Sequence, residues 1–202
     1  ASAGYTVPTP IQEQAIGEVL AGHDGLGLAQ TGTGKTAAFT LPMLQNLVDS
    51  DSRVRKSGGI PARPAALVLA PTRELAIQID ESVAVYGAHS GVGHTVVFGG
   101  APKGRQLQQL RKSPVILTAT PGRLLDFIGE GVIDLSKVEI LVLDEADRML
   151  DMGFIPEVRK IAALVKNRRQ TALFSATMPR EIEKLAQELL SNAERIAVAP
   201  KA

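Results

Sequence analysis

Ala29-Gln30-Thr31-Gly32-Thr33-Gly34-Lys35-Thr36 is the stretch from which the fold can be read. A short apolar run, Leu26-Gly27-Leu28, precedes it, and Ala37-Ala38-Phe39-Thr40-Leu41 follows with residues that continue a helix. Strand, glycine loop and helix, in that order, are the context a phosphate-cradling loop requires. Gly32 and Gly34 let the backbone turn so that successive N–H groups face one anion. The new helix adds the positive end of its dipole at the same spot. Lys35 is then placed to reach the terminal phosphates of a nucleotide, and the Thr36 hydroxyl to ligate Mg²⁺. The strict pattern starts on glycine, whereas this chain has Ala29. A Gly/Thr-rich turn that merely caps a helix is the competing reading.

Working outward, the same unit recurs. Ala66-Leu67-Val68-Leu69-Ala70 is an apolar run of strand length that ends in Pro71-Thr72-Arg73-Glu74-Leu75-Ala76, where a helix begins. Thr95–Phe98 ends in Gly99-Gly100 and a helix rich in Gln and Arg. Val115–Thr118 ends in Ala119-Thr120-Pro121-Gly122-Arg123. Ile140–Leu143 ends in Asp144-Glu145-Ala146-Asp147, Thr171–Phe174 in Ser175-Ala176-Thr177, and Arg195–Val198 closes the series. Such alternation predicts a single α/β domain over residues 1–202, three-layered, around a mainly parallel sheet. Polar residues cluster just after each strand, and ligands in such sheets bind outside the carboxyl ends of the strands. The loops should therefore converge on one rim. Residues 49–64 are charged and rich in Gly and Pro and read as an exposed loop. Upstream, two prolines lead into a helix from about Ile11 to Leu20. There Gln12 offers a donor and an acceptor that suit the N6/N7 edge of adenine, and Tyr5 can stack on its ring. A plain proline-led helix start is the alternative.

Composition narrows the classes. With 45% hydrophobic residues a full core is available, and no apolar run approaches the roughly 20 residues that span a bilayer. There is no cysteine, which fits a reducing, cytoplasmic setting and excludes thiolate metal sites. His23, His89 and His94 share no metal-ligand spacing and read as ordinary loop or surface residues. Net charge is +1, so any nucleic acid must be held by placed groups and not by bulk charge. Seven scattered aromatics supply no evident stacking platform and point any RNA contact to the sugar-phosphate backbone.

At the rim, Asp144 follows four apolar residues, where Mg²⁺ needs a carboxylate beside a phosphate loop. Glu145 is placed to orient and deprotonate the water that attacks the γ-phosphate. Asp147 can accept hydrogen bonds from Ser175 or Thr177, which come from another strand end. Two acids at a helix start also serve as caps, and that reading competes.

These segments resemble the first RecA-like domain of DEAD-box ATP-dependent RNA helicases, and the resemblance spans nearly all of the chain. Pro8-Thr9-Pro10-Ile11-Gln12 is similar to that family's Q motif, with Tyr5 on the adenine and Val7 beside it. Ala29 to Thr36 is similar to its motif I, which tolerates Ala at the first position. The resemblance therefore implies ATP contacts from Tyr5, Val7, Gln12, Gln30, Thr31, Gly32, Thr33, Gly34, Lys35 and Thr36. It implies Mg²⁺ ligation through Thr36 and Asp144, and hydrolysis by Lys35, Asp144, Glu145 and Asp147. Ser175 and Thr177 would couple hydrolysis to strand separation. RNA would be held by its backbone through Pro71, Thr72, Arg73, Gly99, Gly100, Thr120, Pro121, Gly122 and Arg123. Gly25 stands where the family usually has a branched apolar residue, and should weaken its strand.

The family works with two RecA-like domains, the second supplying arginines to the γ-phosphate and half of the RNA groove. No second domain follows in these 202 residues. The chain opens on Ala1 without Met or a signal-like segment, and is expected to be a monomeric piece of a longer protein that binds nucleotide without unwinding. Two alternatives remain at this stage: a nucleotide-dependent RNA-binding module without turnover, and a P-loop ATPase that acts on DNA.

Overall fold

The computed structural model describes residue 7 and residues 10–29, 35–49 and 59–197. Among the described residues, seven strands form one sheet: β1 (Gly25–Leu28), β2 (Ala66–Leu69), β3 (His94–Val97), β4 (Ile116–Ala119), β5 (Ile140–Leu143), β6 (Gln170–Ser175) and β7 (Glu194–Ala197). Their order is β3-β4-β2-β5-β6-β1-β7, and every strand pairing is parallel. The described residues also form helices α1 (Pro10–Leu20), α2 (Lys35–Asp49), α3 (Arg73–Tyr86), α4 (Lys103–Leu110), α5 (Pro121–Gly129), α6 (Ala146–Asp151), α7 (Ile155–Leu164) and α8 (Arg180–Leu189). Among the described residues, no helix is long and apolar enough to cross a membrane.

The period-2 geometry of a strand sends alternate side chains into two cores. Leu67, Leu69, Leu117, Leu141, Leu143 and Leu173 face the layer built by α4 to α8, with Leu110, Leu124, Phe127, Val158 and Ile182. Ala66, Val68, Ile116, Ile140, Val142 and Phe174 face the opposite layer, against Phe39, Met43 and Leu47 of α2 and Ile79 and Val83 of α3. Strands β2, β4, β5 and β6 are buried on both faces, which is why β2 and β5 read as unbroken apolar runs; β4 buries Thr118 and β6 buries Gln170, Thr171 and Ser175 as well. β3, at one margin of the sheet, alternates instead.

Register aligns the carboxyl ends. Leu69 sits between Ala119 and Leu143, Leu143 opposite Leu173, and Leu28 opposite Ser175. The ladder runs one step further where Asp144 N donates to Leu69 O (2.9 Å) and Ala29 N to Ser175 O (3.1 Å). The three-layer α/β architecture expected from the sequence is the one found, with a sheet wholly parallel.

One local expectation changes. The end of the segment expected to be an exposed loop is anchored: Ala62 and Pro64 are buried, and Ala62 pairs with Ile133. The bonds Ala62 N to Val132 O (2.8 Å) and Asp134 N to Ala62 O (2.9 Å) hold it. In β1, Gly27 is sterically constrained and Gly25 is not. A Cβ on Gly25 meets nothing, whereas one on Gly27 would lie 2.5 Å from Cδ1 of Phe174.

Candidate functional site

The carboxyl-end rim divides along the β2–β5 ladder. On one side, the segments after β5, β6 and β1 carry the acidic and hydroxyl residues; on the other, those after β2, β4 and β3 carry Pro71–Arg73, Thr120–Arg123 and Gly99-Gly100.

On the first side Lys35 opens α2 with its side chain almost wholly buried, and its Nζ lies 3.1 Å from Oδ1 of Asp144 and 3.8 Å from Oε1 of Glu145. Asp144 is completely buried. Burial pushes its carboxyl above the usual carboxylate range, opposed by the Lys35 ammonium. Oδ1 also accepts from Glu145 N (2.9 Å), while Oδ2 is buried with no hydrogen-bond partner among the described residues. Desolvating such a pair costs about as much as the attraction returns, so it is poorly explained as a device for stability. Glu145 takes left-handed backbone angles, φ 50° and ψ 53°, immediately before the short helix α6. It makes no side-chain cap hydrogen bond there, so the capping alternative fails at this residue. Its Oε2 is 4.0 Å from Arg148 Nη1, which leaves the carboxylate flanked by two cations.

Asp147 ties α6 to the end of β6. Its Oδ2 accepts from Thr177 N (3.1 Å) and Thr177 Oγ1 (2.9 Å). Ser175 takes a different part from the one expected: its Oγ accepts from Asp147 N (3.1 Å) and donates to Thr177 O (2.7 Å). Gln12 is buried on α1, which packs against α2, and Val7 is exposed. Tyr5 and the loop residues Gln30, Thr31, Gly32, Thr33 and Gly34 lie outside the described residues.

On the second side Thr72 caps α3, its Oγ1 accepting from Leu75 N (3.2 Å), and Pro71 is buried beneath. Arg73 is exposed, with its guanidinium 4.9 Å above the Phe98 ring. Gly99 and Gly100 are exposed, Gly100 at φ 76°, where a side chain is disfavoured. Thr120 precedes α5 without spending its hydroxyl on a cap, Pro121 is buried and Gly122 is exposed. Arg123 turns inward: Nη1 donates to Ala101 O (3.0 Å) and to Gln106 Oε1 (3.3 Å).

Sequence reasoning passed over three groups. Gln106 is buried on α4 one turn before buried Leu110, and that i,i+4 alignment was the available signal. Arg168 binds the carbonyls of Ala162, Val165 and Leu189, closing the ends of α7 and α8, which nothing in its neighbourhood of the sequence announces. His94 is no loop residue. It lies in β3 with Nδ1 2.8 Å from Asp80 Oδ1 of α3, and that bond raises its pKa above 6.5. No three His, Cys, Asp or Glu among the described residues group as a metal cage. A cleft of about 530 Å³ framed by Asp24, Lys166, Arg169 and Ser191 lies at the amino ends of β1 and β6, away from this rim. Asp24 is used there by Thr171 N and Ser191 N.

Comparison with known proteins returns the same outline. The family model described as DEAD/DEAH box helicase matches residues 9–185. A DEAD-box ATP-dependent RNA helicase 30 of Oryza sativa subsp. japonica is 47% identical over 198 residues, which are 98% of this chain and 29% of that protein. The Arabidopsis thaliana protein of the same name is 50% identical over 190 residues, 94% of this chain and 31% of that one. A crystal structure of a hypothetical ATP-dependent RNA helicase from Sulfolobus tokodaii superposes with TM-score 0.86 at 38% identity, over 97% of this chain and 54% of the other. The chain thus spans under a third of the length of these two curated relatives.

Proposed function

Because the chain belongs to the DEAD/DEAH box helicase family, we propose that it is the ATP-binding RecA-like domain of an ATP-dependent RNA helicase. The observation that carries the reading is the buried Lys35–Asp144–Glu145 group at the carboxyl end of a parallel sheet, tied through Asp147 to Ser175 and Thr177. ATP lies with its phosphates on the loop before α2, its adenine against Gln12 and Tyr5. Lys35 leaves its carboxylate partners to meet the β- and γ-phosphates.

The donors fit Mg²⁺. Asp144 Oδ2 is an oxygen buried without a partner, Thr36 is one residue beyond Lys35, and an ion that keeps water and phosphate ligands needs no more protein groups than these. When bound, the ion neutralises charge on the phosphate oxygens. Glu145, fixed by its left-handed backbone and held between Lys35 and Arg148, orients the attacking water and accepts its proton. Asp147, Ser175 and Thr177 carry the change at the phosphate to the end of β6 and to α8. Pro71–Arg73, Gly99-Gly100 and Thr120–Arg123 hold single-stranded RNA by its phosphates and sugars, with little base preference. A second RecA-like domain of the same protein completes both sites, and the cysteine-free sequence suits a cytoplasmic setting. The test is RNA-stimulated ATP hydrolysis by the full-length parent beside this chain, with Lys35→Ala as control. A parent that hydrolyses ATP at the same rate with and without RNA refutes the reading.

A further inference from the structure

Three segments of the rim's second side meet at a single side-chain amide. Gln106, on α4 and 7% exposed, donates from Nε2 to Phe98 O (3.0 Å) and accepts at Oε1 from Phe98 N (3.3 Å). It treats Phe98 as a neighbouring strand would, at the point where β3 stops and the Gly99-Gly100 turn begins. The same Oε1 accepts from Arg123 Nη1 of α5 (3.3 Å), and that nitrogen also donates to Ala101 O, on the far side of the turn (3.0 Å). Over the Phe98 ring lies the Arg73 guanidinium of α3, 4.9 Å from its centre. The two exposed glycines are therefore held at both ends, by Gln106 at Phe98 and by Arg123 at Ala101. Arg73 is placed by the same ring.

An amide alone supplies this pattern. A carboxylate at 106 has no donor for Phe98 O, and an aliphatic side chain leaves Phe98 N, Phe98 O and the inward Arg123 nitrogen without it. We propose that Gln106 is a positioning residue for RNA. It fixes the Gly99-Gly100 backbone and the Arg73 side chain in the arrangement that meets consecutive phosphates, and Arg123 acts through it. The inference rests on the RNA-binding reading of the preceding subsection.

The experiment measures binding of fluorescent single-stranded homopolymeric RNA by the unsubstituted chain, Gln106→Leu, Gln106→Glu, Arg123→Met and the Leu/Met double variant, over a series of salt concentrations. Nucleotide affinity and melting temperature of each variant report its folding. Gln106→Leu should weaken RNA binding roughly tenfold, the scale of one lost charge-assisted contact. It should also flatten the slope of log affinity against log salt by about one, because a phosphate contact is gone. Gln106→Glu, which keeps the acceptor for Arg123 and loses the donor for Phe98 O, should weaken binding in the same direction with the Arg123 tie intact. The double variant should bind no worse than Arg123→Met alone, as expected when two residues act as one unit. Unchanged affinity and slope in folded Gln106→Leu overturn the proposal. So does weakening that only follows a lost melting temperature and nucleotide affinity with the slope unchanged, because that marks a role in folding alone. RNA binding absent from the unsubstituted chain at low salt removes the proposal together with the reading beneath it.

Discussion

Glu145 stands where an L-residue is least at ease. Its left-handed angles cost on the order of 1 kcal/mol, which glycine would not incur. Glu145→Gly should therefore raise the unfolding free energy by about 1 kcal/mol, measured by urea titration, while turnover in the two-domain parent disappears. Glu145→Gln should keep nucleotide affinity and lose turnover just as fully. If the Gln variant hydrolyses ATP normally, the carboxylate is not the base. Lys35→Ala carries a second effect. With its partner gone, buried Asp144 keeps an uncompensated charge, so the nucleotide-free variant should lose about 3–5 kcal/mol of stability as well as phosphate affinity. Calorimetry without nucleotide separates the two losses. The sequence made Asp144 legible because four apolar residues before it announce a buried strand. The φ of Glu145 was not legible, since glutamate gives no hint of left-handed backbone. Gln106 gave only the i,i+4 alignment with Leu110, because a glutamine on a short helix rich in polar residues otherwise reads as solvent-facing.

At the scale of elements, β1 and α2 are joined through one ring. Phe174 lies across Gly27 and 5.2 Å from the Phe39 ring of α2, the helix that Lys35 opens. Gly27→Ala pushes that ring and should cost about 1–3 kcal/mol with a fall in nucleotide affinity, and Phe174→Leu in the same chain should recover part of both. Thermal unfolding and nucleotide titration of the three variants check this. The β3–α3 tie gives a pH dependence. Its hydrogen bond to Asp80 raises the His94 pKa above 6.5, so the stabilisation is complete below about pH 6.5 and fades as pH rises through the folded value. Urea midpoints should fall between about pH 6 and about pH 8, and His94→Gln should flatten that part of the fall. Strand and helix positions were readable along the chain because buried parallel strands are apolar runs and each ends at a turn or cap. The buried tail of the expected loop escaped because its anchor, the Ala62–Ile133 bridge, joins residues far apart in sequence. For the same reason the constraint on Gly27 was not legible, since Phe174 lies far from it in sequence.

For the whole molecule, two arginines among the described residues bear on hydrolysis. Arg148 is beside Glu145, and Arg168 is committed to the ends of α7 and α8. An arginine brought in from a second domain is worth about 10³–10⁵ in rate where such a residue is used. Residues 1–202 alone should therefore show almost no RNA-stimulated hydrolysis. Joining them to the second domain through the native linker should restore it, and mixing the halves unlinked should restore far less, because the linker sets the effective concentration. Phosphate-release kinetics on the three preparations check this. Rapid RNA-dependent turnover by the lone chain refutes it.

The seam along the β2–β5 ladder has a consequence for descent. Under the proposed function, fuel is handled by the tips of three contiguous strands and the grip on the polymer by the tips of three others. Heritable change can therefore accumulate on one bank while the other stays as it was. At the rim, Asp144 N donates across the seam to Leu69 O, one residue before Ala70 and the Pro71-Thr72-Arg73 segment. If the proposed function holds, a lineage can retune its hold on RNA by altering Gly99-Gly100, Gln106 or Arg123 and inherit an engine left unmodified.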